Sequence, residues 1–474
     1  MMVVREKNSQ PYFGLTGGWL TFWVTVACAT DMTLFGYDQG VFSGVVITQD
    51  FLEIHDLVGP TKTKTLSTVT AIYDVGCFLG AIFAFTIGEK LGRKKTILVG
   101  TTIMAVGAIL QAASFSLAQM FVGRIVSGIG NGVNTATAPV WQTETSQIKW
   151  RGKLVILEMM MNIAGYAFVN WVNYGLSFAG GAIAWRLPLA LQFIFLVILW
   201  STTPWLPESP RWLMAHEKEE EAVEVISCLE AKSPDDPFVI AQRNEISFTI
   251  HYERENSVRW RDLLKKRPND TNTLRRLLLG AGTQFMQQFG GINIMSYYLP
   301  TVLKSSVGFT DEMARLLTAC NAISYFFFSG LAVLLVERMG RRGLMLLSTF
   351  GQFGAAIATG TDWITNFIIV EITPIGIQNI GWRFWIVWTV TNLLFLPILY
   401  FFYPETANRS LEDIDAYYRT KPSLIVVGNR DAICRSRPQK YIDHEQDEIQ
   451  KTALGRKNIE PGLSEHVEWS GSSK

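Results

Sequence analysis

Stretches of about 20 residues almost free of charge recur along this chain, and no other feature constrains its fold so tightly. At about 1.5 Å per residue such a stretch spans the roughly 30 Å hydrocarbon layer of a bilayer, where a helix satisfies its own backbone hydrogen bonds. Candidate crossings fall at 19–42, 68–88, 97–116, 118–140, 154–177, 186–205, 275–301, 313–336 and 381–403. A further apolar run, 345–376, fits neither one crossing nor two. As a helix it would reach about 48 Å, while two crossings need about 40 residues and a turn.

The expected fold is therefore all-α and polytopic. Of the 474 residues 49% are hydrophobic and 18% charged, and the charges gather into a few segments. Short basic connections, "GEKLGRKK", "KWRGK" and "ERMGRR", alternate with acidic or mixed ones around Asp50 to Asp56 and at Asp311 and Glu312. The positive-inside bias puts the basic set in the cytosol. Residues 1–18 hold no apolar core of signal-peptide type and are expected to remain cytosolic.

Residues 206–274 are rich in Lys, Arg and Glu and read as a cytosolic linker with surface helices, dividing an N-terminal bundle, 19–205, from a C-terminal one, 275–403. The polar tail, 404–474, shows no core of its own and is expected to be mobile beyond about Tyr417.

The two halves repeat. Glu89, Gly92, Arg93 and Lys94 share their spacing with Glu337, Gly340, Arg341 and Arg342, and "PESPR" at Pro207 returns as "PETANR" at Pro404. Glu89 to Pro207 is 118 positions and Glu337 to Pro404 is 67, so the second half is 51 residues short. A loss of that size removes about one long helix and its loops, or two short helices.

Several function classes are excluded. A net charge of +1 does not suit a nucleic-acid binder. Cys28, Cys77, Cys228, Cys320 and Cys434 are odd in number, lack metal-ligand spacing and read as small buried hydrophobes. The five histidines lie in expected loops or tails, and no metal, nucleotide or catalytic motif is formed. No enzyme, cofactor or metal site is expected.

Polar groups inside the apolar runs carry the remaining signal. Asp31 and Asp38 lie seven apart, about two turns along one face of the first crossing. A carboxylate at mid-membrane costs about 2.5–3.5 kcal/mol on insertion scales, and Arg124 on the fourth crossing is the natural opposite charge. A proton exchanged at such a pair couples proton flow to cargo; the alternative is a permanent structural ion pair. On the seventh crossing Gln284, Gln287 and Gln288 share a face before Gly290, Gly291 and Asn293. Amides there suit a polyhydroxylated ligand or, alternatively, interhelical hydrogen bonds. Asp31 and Asp74 read as satisfied packing or vestibule residues.

In order along the chain stand "FGYDQGVFSG", "GRKK", "GRIVSGIGNG", "WRGK", "PESPRWL", "QQFGGINIMSYY", "ERMGRR" and "PETANRSLEDID". Together they resemble the sugar porter family of the major facilitator superfamily, especially the fungal hexose transporters. The resemblance implies two pseudo-symmetric six-helix bundles, alternating access and a monosaccharide as cargo. Helices 1 to 8 have counterparts, Trp363 matches the tryptophan of helix 11, and helix 10 with its charged motif has none. The run 345–376 then reads as the start of helix 9 joined to helix 11, for ten crossings by parity.

The same resemblance assigns proton coupling to Asp38 and Arg124, and sugar binding to Gln287, Gln288, Asn293 and Trp363. It makes Tyr297 and Tyr298 an extracellular gate, and Glu144, Arg151, Glu208, Arg211, Glu337 and Arg341 a cytosolic one. Tyr166 replaces the family's helix 5 glutamine, and Tyr325 its helix 8 asparagine, with Asn321 on the same face. The partners expected are a small sugar, a proton and the lipid bilayer, in the plasma membrane. Proton symport leads, with a facilitative uniporter, a sugar sensor or a shortened inactive isoform as alternatives. Neither the particular sugar nor the oligomeric state is specified.

Overall fold

A computed structural model describes residues 11–255, 273–288, 292–304, 308–349, 384–406 and, with single breaks, 409–443. Among these residues the ordered elements are helices. The first half comprises α1 (Gly18–Val45), the short α2 (Gln49–Ile54), α3 (Thr63–Leu91), α4 (Arg93–Ala112), α5 (Leu117–Thr145) and α6 (Ile148–Ser177). A sixth passage follows as α7 (Ile183–Leu191) and α8 (Phe193–Thr202). Apart from α2, these helices fall on the six expected crossings; most begin several residues earlier than expected because helices outlast the apolar layer, while α4 stops at Ala112, four residues short of the expected end.

Four passages among the described residues are both long and apolar enough to span a membrane: Thr63–Leu91, Arg93–Ala112, Gly152–Ser177 and Ile183–Trp205. Helices α1 and α5 are equally long, at 28 and 29 residues, but carry the polar side chains that the bundle buries. Large apolar side chains such as Leu79, Phe85, Val106, Phe168 and Val197 stay exposed on the outer faces, as a lipid-facing surface requires. Trp19, Phe22 and Trp23 form edge-to-face pairs at the N-terminal end of α1, where an aromatic belt belongs.

Backbone-to-backbone contacts hold this half together. A Cβ on Gly76 or Gly80 of α3 would lie 2.4 or 2.1 Å from a carbonyl oxygen of α5. In return, one on Gly128 or Gly132 of α5 would meet Tyr73 O at 2.3 Å or Cys77 O at 2.0 Å. The paired small-xxx-small motifs thus let α3 and α5 touch directly. Gly36 and Gly165 do the same for α1 and α6, with hypothetical Cβ contacts of 1.8 and 2.0 Å.

Surface helices α9 (Pro210–Ala215), α10 (Glu219–Glu230) and α11 (Pro237–Glu255) form the linker, and Leu213, Ala222, Val225 and Leu229 pack beneath Leu20 of α1. The second half is described as α12 (Thr273–Gln288), α13 (Ile292–Val302), α14 (Asp311–Thr349) and α15 (Phe384–Phe402). Its α14 corrects the sequence reading. It continues for 39 residues through the "ERMGRR" segment, which was expected to be a connection. Glu, Arg, Met and Leu there all favour helix, and no proline interrupts them. Most of the 345–376 run lies outside the described residues.

The tail also differs from expectation. Helices α16 (Leu411–Arg419) and α17 (Arg430–Ile433) bring Tyr417, Tyr418, Val426 and Ala432 into a small apolar cluster. Arg437 grips Asp413 through two bonds of 2.7 and 3.0 Å, and Val426 N–H donates to Phe401 O at 2.9 Å. Packing continues to residue 443 because aromatics spaced on a short helix suffice for a local core.

Gly132→Leu would force α5 away from α3. It should cost about 1–3 kcal/mol and lower the unfolding temperature of the purified protein by several degrees. Gly175→Ala, where nothing lies within 4 Å, should leave that temperature unchanged.

Candidate functional site

Helices α1 and α5 run antiparallel, and their polar side chains meet in rungs seven residues apart on each helix. Ser127 Oγ donates to Asp38 Oδ2 at 3.2 Å. Two turns toward the cytosolic end, Asn134 Nδ2 donates to Asp31 Oδ1 at 2.8 Å and also reaches Thr101 Oγ1 of α4 at 3.2 Å. One turn further, the Cys28 thiol points at Ala138 O, 3.6 Å away. Equal seven-residue spacing on both helices keeps these pairs in phase, since seven residues make nearly two whole turns.

Asp38 and Arg124 are both wholly buried. The Arg124 guanidinium sits 4.0 Å from the Phe42 ring centre and 4.4 Å from that of Tyr73, and donates to Thr70 O at 2.8 Å. Its Nε and Nη1 have no hydrogen-bond partner, while the Tyr73 hydroxyl, like that of Ser127, faces the Asp38 carboxyl. Its charge acts on Asp38 across the seam without a direct ion pair within 4.0 Å among the described residues. Aromatic faces hold the cation here instead of a carboxylate clasp.

The second half approaches the same place from outside. Tyr297 and Tyr298 of α13 are buried against Ala71 of α3, and Tyr297 lies within electrostatic reach of Tyr73. Arg315 of α14 donates to Thr48 Oγ1 at 3.1 Å, a further link between halves at the extracellular ends. On α12, Gln284 and Gln288 are buried and Gln287 half-buried. Asn293 lies on α13 with its side chain outside the described set, and Trp363 lies outside the described residues altogether. Tyr166 and Ala167 pack on Ala322 of α14, while Asn321 beside it is exposed.

At the cytosolic face the charged motifs converge within the first half. Arg93 forms a double hydrogen bond to Glu144, at 2.9 and 3.0 Å. Glu208 accepts the backbone N–H groups of Arg93, Lys94 and Ser209 at 2.9, 3.2 and 2.9 Å, so it caps the N-terminus of α4 from outside that helix. A Cβ on Gly92, whose φ is +87°, would lie 2.6 Å from Glu208 Oε2, so only glycine admits this cap. Burial pushes the Glu208 carboxyl above the usual carboxylate range, and the three N–H donors pull against it. In the other half Glu405 likewise accepts from Thr406 N–H at 2.9 Å, echoing Glu208 with Ser209. Arg211 lies at the start of α9, and the side chains of Arg151, Glu337 and Arg341 are outside the described set.

The structure thus gathers Asp38, Arg124 and Tyr297 about Tyr73, and gathers Glu144 and Glu208 about Arg93. Sequence reasoning missed Tyr73, which lies in none of the quoted motifs, and gave no role to Phe42 and Ser127, which lie within "FGYDQGVFSG" and "GRIVSGIGNG". It also missed Glu158 of α6, whose signal was plain: an isolated acidic residue in the apolar run 154–177.

Helical spans, exposed apolar faces and a buried charged seam define a multi-pass membrane transporter. The family described as "Sugar (and other) transporter" matches residues 23–360 and 351–418, and this chain belongs to it, within the sugar porters of the major facilitator superfamily. The chain is 68% identical to the MFS-type transporter oryC of Aspergillus oryzae over 99% of both chains. It is 31% identical to the sugar transporter STL1 of Saccharomyces cerevisiae, covering 86% of this chain and 83% of that one. A structure of the proton:xylose symporter XylE bound to 6-bromo-6-deoxy-D-glucose shares the fold with a TM-score of 0.69 at 22% identity, over 84% of this chain and 99% of XylE.

These matches also bear on the length of the chain. The alignment with oryC has 533 positions against 474 residues, so at least 59 positions have no residue of this chain opposite them. Both family matches claim residues 351–360, which puts the interruption within the anomalous apolar run.

Glu208→Ala should uncap α4 at a cost of about 1–2 kcal/mol and speed hydrogen exchange in peptides covering Arg93 and Lys94. Unaltered exchange there would contradict the cap.

Proposed function

We propose that this chain moves a monosaccharide across the plasma membrane together with a proton, by alternating access between its two halves. The observation that carries the reading is Asp38: a wholly buried carboxyl held by neutral hydroxyl groups and facing a guanidinium that is not bonded to it. Such a carboxyl can take up and release a proton as the path opens, because its neighbour favours the charged form while burial opposes it. The names of XylE as a proton:xylose symporter and of STL1 as a sugar transporter support the cargo class and the coupling.

Gln287, Gln288, Asn293 and Trp363 hold the sugar in this reading, by amide hydrogen bonds and a ring face. Tyr297 and Tyr298 close the outer side. Glu144, Arg151, Glu208, Arg211, Glu337 and Arg341 brace the cytosolic side, with Arg93 as the partner that Glu144 uses.

In proteoliposomes an inward proton gradient of one pH unit is worth about 1.4 kcal/mol, enough for up to about tenfold accumulation of labelled hexose. Asp38→Asn should abolish that accumulation while sparing sugar exchange. Wild-type uptake indifferent to the gradient would leave facilitated diffusion instead.

A second reading is favoured by one observation, the interruption of the family match at 351–360. A chain lacking a bundle helix exposes polar faces to lipid and loses part of its site. Sequencing transcripts across codons 355–365 and assaying uptake by this form distinguish the two: no exchange by the 474-residue chain identifies a non-transporting form.

A further inference from the structure

A histidine at the outer face is built into an aromatic core and takes no part in the transport reading. His55 follows α2 and is 3% exposed, with its ring 4.5 Å from that of Phe51 and 5.5 Å from that of Trp185 on α7. Both ring nitrogens are engaged. Nδ1 lies 2.9 Å from Phe51 O, and a carbonyl only accepts, so Nδ1 carries the proton. In the neutral ring Nε2 is then an acceptor, and it takes the Ser114 hydroxyl of the α4–α5 loop at 3.2 Å. The ring thereby fastens the end of α2 to the loop between two spanning helices.

The surroundings oppose a second proton. Arg186 of α7 donates to Ser114 O at 2.8 Å, with its guanidinium 4.6 Å from the Trp185 ring centre. The acids of this region are held by other groups: Asp50 accepts from the Trp185 indole at 2.8 Å, Asp56 pairs with Lys62, and Glu53 accepts from Gln49. Helices α1, α3 and α5 meet the Phe51 and Trp185 cluster with apolar side chains, Val45, Val69 and Met120 among them. Burial holds the His55 ring below the ordinary histidine value, the Phe51 carbonyl opposes this, and Arg186 adds to it. A proton on Nε2 would also force the Ser114 hydroxyl to turn from donor to acceptor.

The same short helix carries a contact with the second half. Thr48, just ahead of α2, donates to Gly44 O at 2.9 Å and accepts from Arg315 of α14 at 3.1 Å, both side chains being buried. Leu52 N–H donates to Thr48 O at 3.2 Å and His55 N–H to Phe51 O at 3.3 Å, so the helical turns of α2 join this contact to the ring.

We propose that His55 is an acid-released pin at the outer face: while neutral it fastens α2 to the α4–α5 loop, and protonation frees α2 together with its Thr48 contact to Arg315 of the second half. Because the neutral ring is the one that fits, its stabilisation is complete above the ordinary histidine value of about 6.5 and is lost as pH falls through the ring's own lower value. Acid outside then loosens the hold between the halves and favours opening of the outer path. That opening rests on the alternating-access reading; the pin does not.

The test is hydrogen exchange on the full chain reconstituted in bilayers, compared at pH 7 and pH 5 and corrected for the intrinsic effect of pH on exchange. Peptides covering 49–58 should lose protection by up to about tenfold for each pH unit between the ordinary histidine value and the ring's own lower one. Peptides covering 311–318 should follow. His55→Asn, whose amide can keep a bond to Phe51 O, should show no pH response in either segment. Arg186→Met should shrink the response, since the ring is then more easily protonated in place. Wild-type protection indifferent to pH, or a response retained in full by His55→Asn, would overturn the pin. Lost protection at 49–58 with 311–318 unmoved would overturn the link to the second half. Exchange is read without transport, so uptake that ignores a proton gradient leaves these outcomes standing.

Discussion

Lipid offers no hydrogen bonds, so every charge in a spanning helix must find shelter within the protein. Here the shelter is the seam between α1 and α5, closed from the far side by α6 at glycine contacts. Ser127 against Asp38 and Asn134 against Asp31 are its rungs. The remaining structure serves that seam: α3 meets α5 through four glycines, and Tyr297 of the second half packs against Ala71 of α3.

Sheltering is incomplete by design of the charges. Arg124 satisfies one nitrogen on Thr70 and leaves two without hydrogen bonds, and Asp38 has only neutral hydroxyl groups for partners. A fully satisfied ion pair would be stable and inert. Buried but underbonded groups are instead responsive to water entering from either side, because hydration relieves their desolvation. The cytosolic cluster is the opposite case: Arg93, Glu144 and Glu208 are mutually satisfied, and they fix helix ends.

Much of this was legible in the sequence, and for identifiable reasons. The six passages of the first half follow from long runs almost free of charge, four of them apolar enough to be read from hydropathy and length together. Asp38 and Arg124 stood out because charge in such runs is costly. Glu208 was placed in a charge network, but its role as a cap depends on Gly92 bringing the α4 terminus within reach, which no spacing reveals. Tyr73 and Phe42 look like ordinary core aromatics until the fold sets Arg124 between them. The ordered tail was missed because Tyr417 and Tyr418 build their core with Val426 and Ala432, from a segment whose average composition is polar.

The most direct measurement concerns Ser127, which touches Asp38 at the middle of the seam. With Cys28, Cys77, Cys228, Cys320 and Cys434 replaced and a single thiol introduced by Ser127→Cys, a membrane-impermeant thiol reagent is applied to each side of the reconstituted protein in turn. Labelling from both sides, slowed by hexose, is the result expected of a seam that opens alternately onto water. A thiol that reacts from neither side, at a rate sugar does not change, would mean that the seam is solid packing and the buried charges are structural.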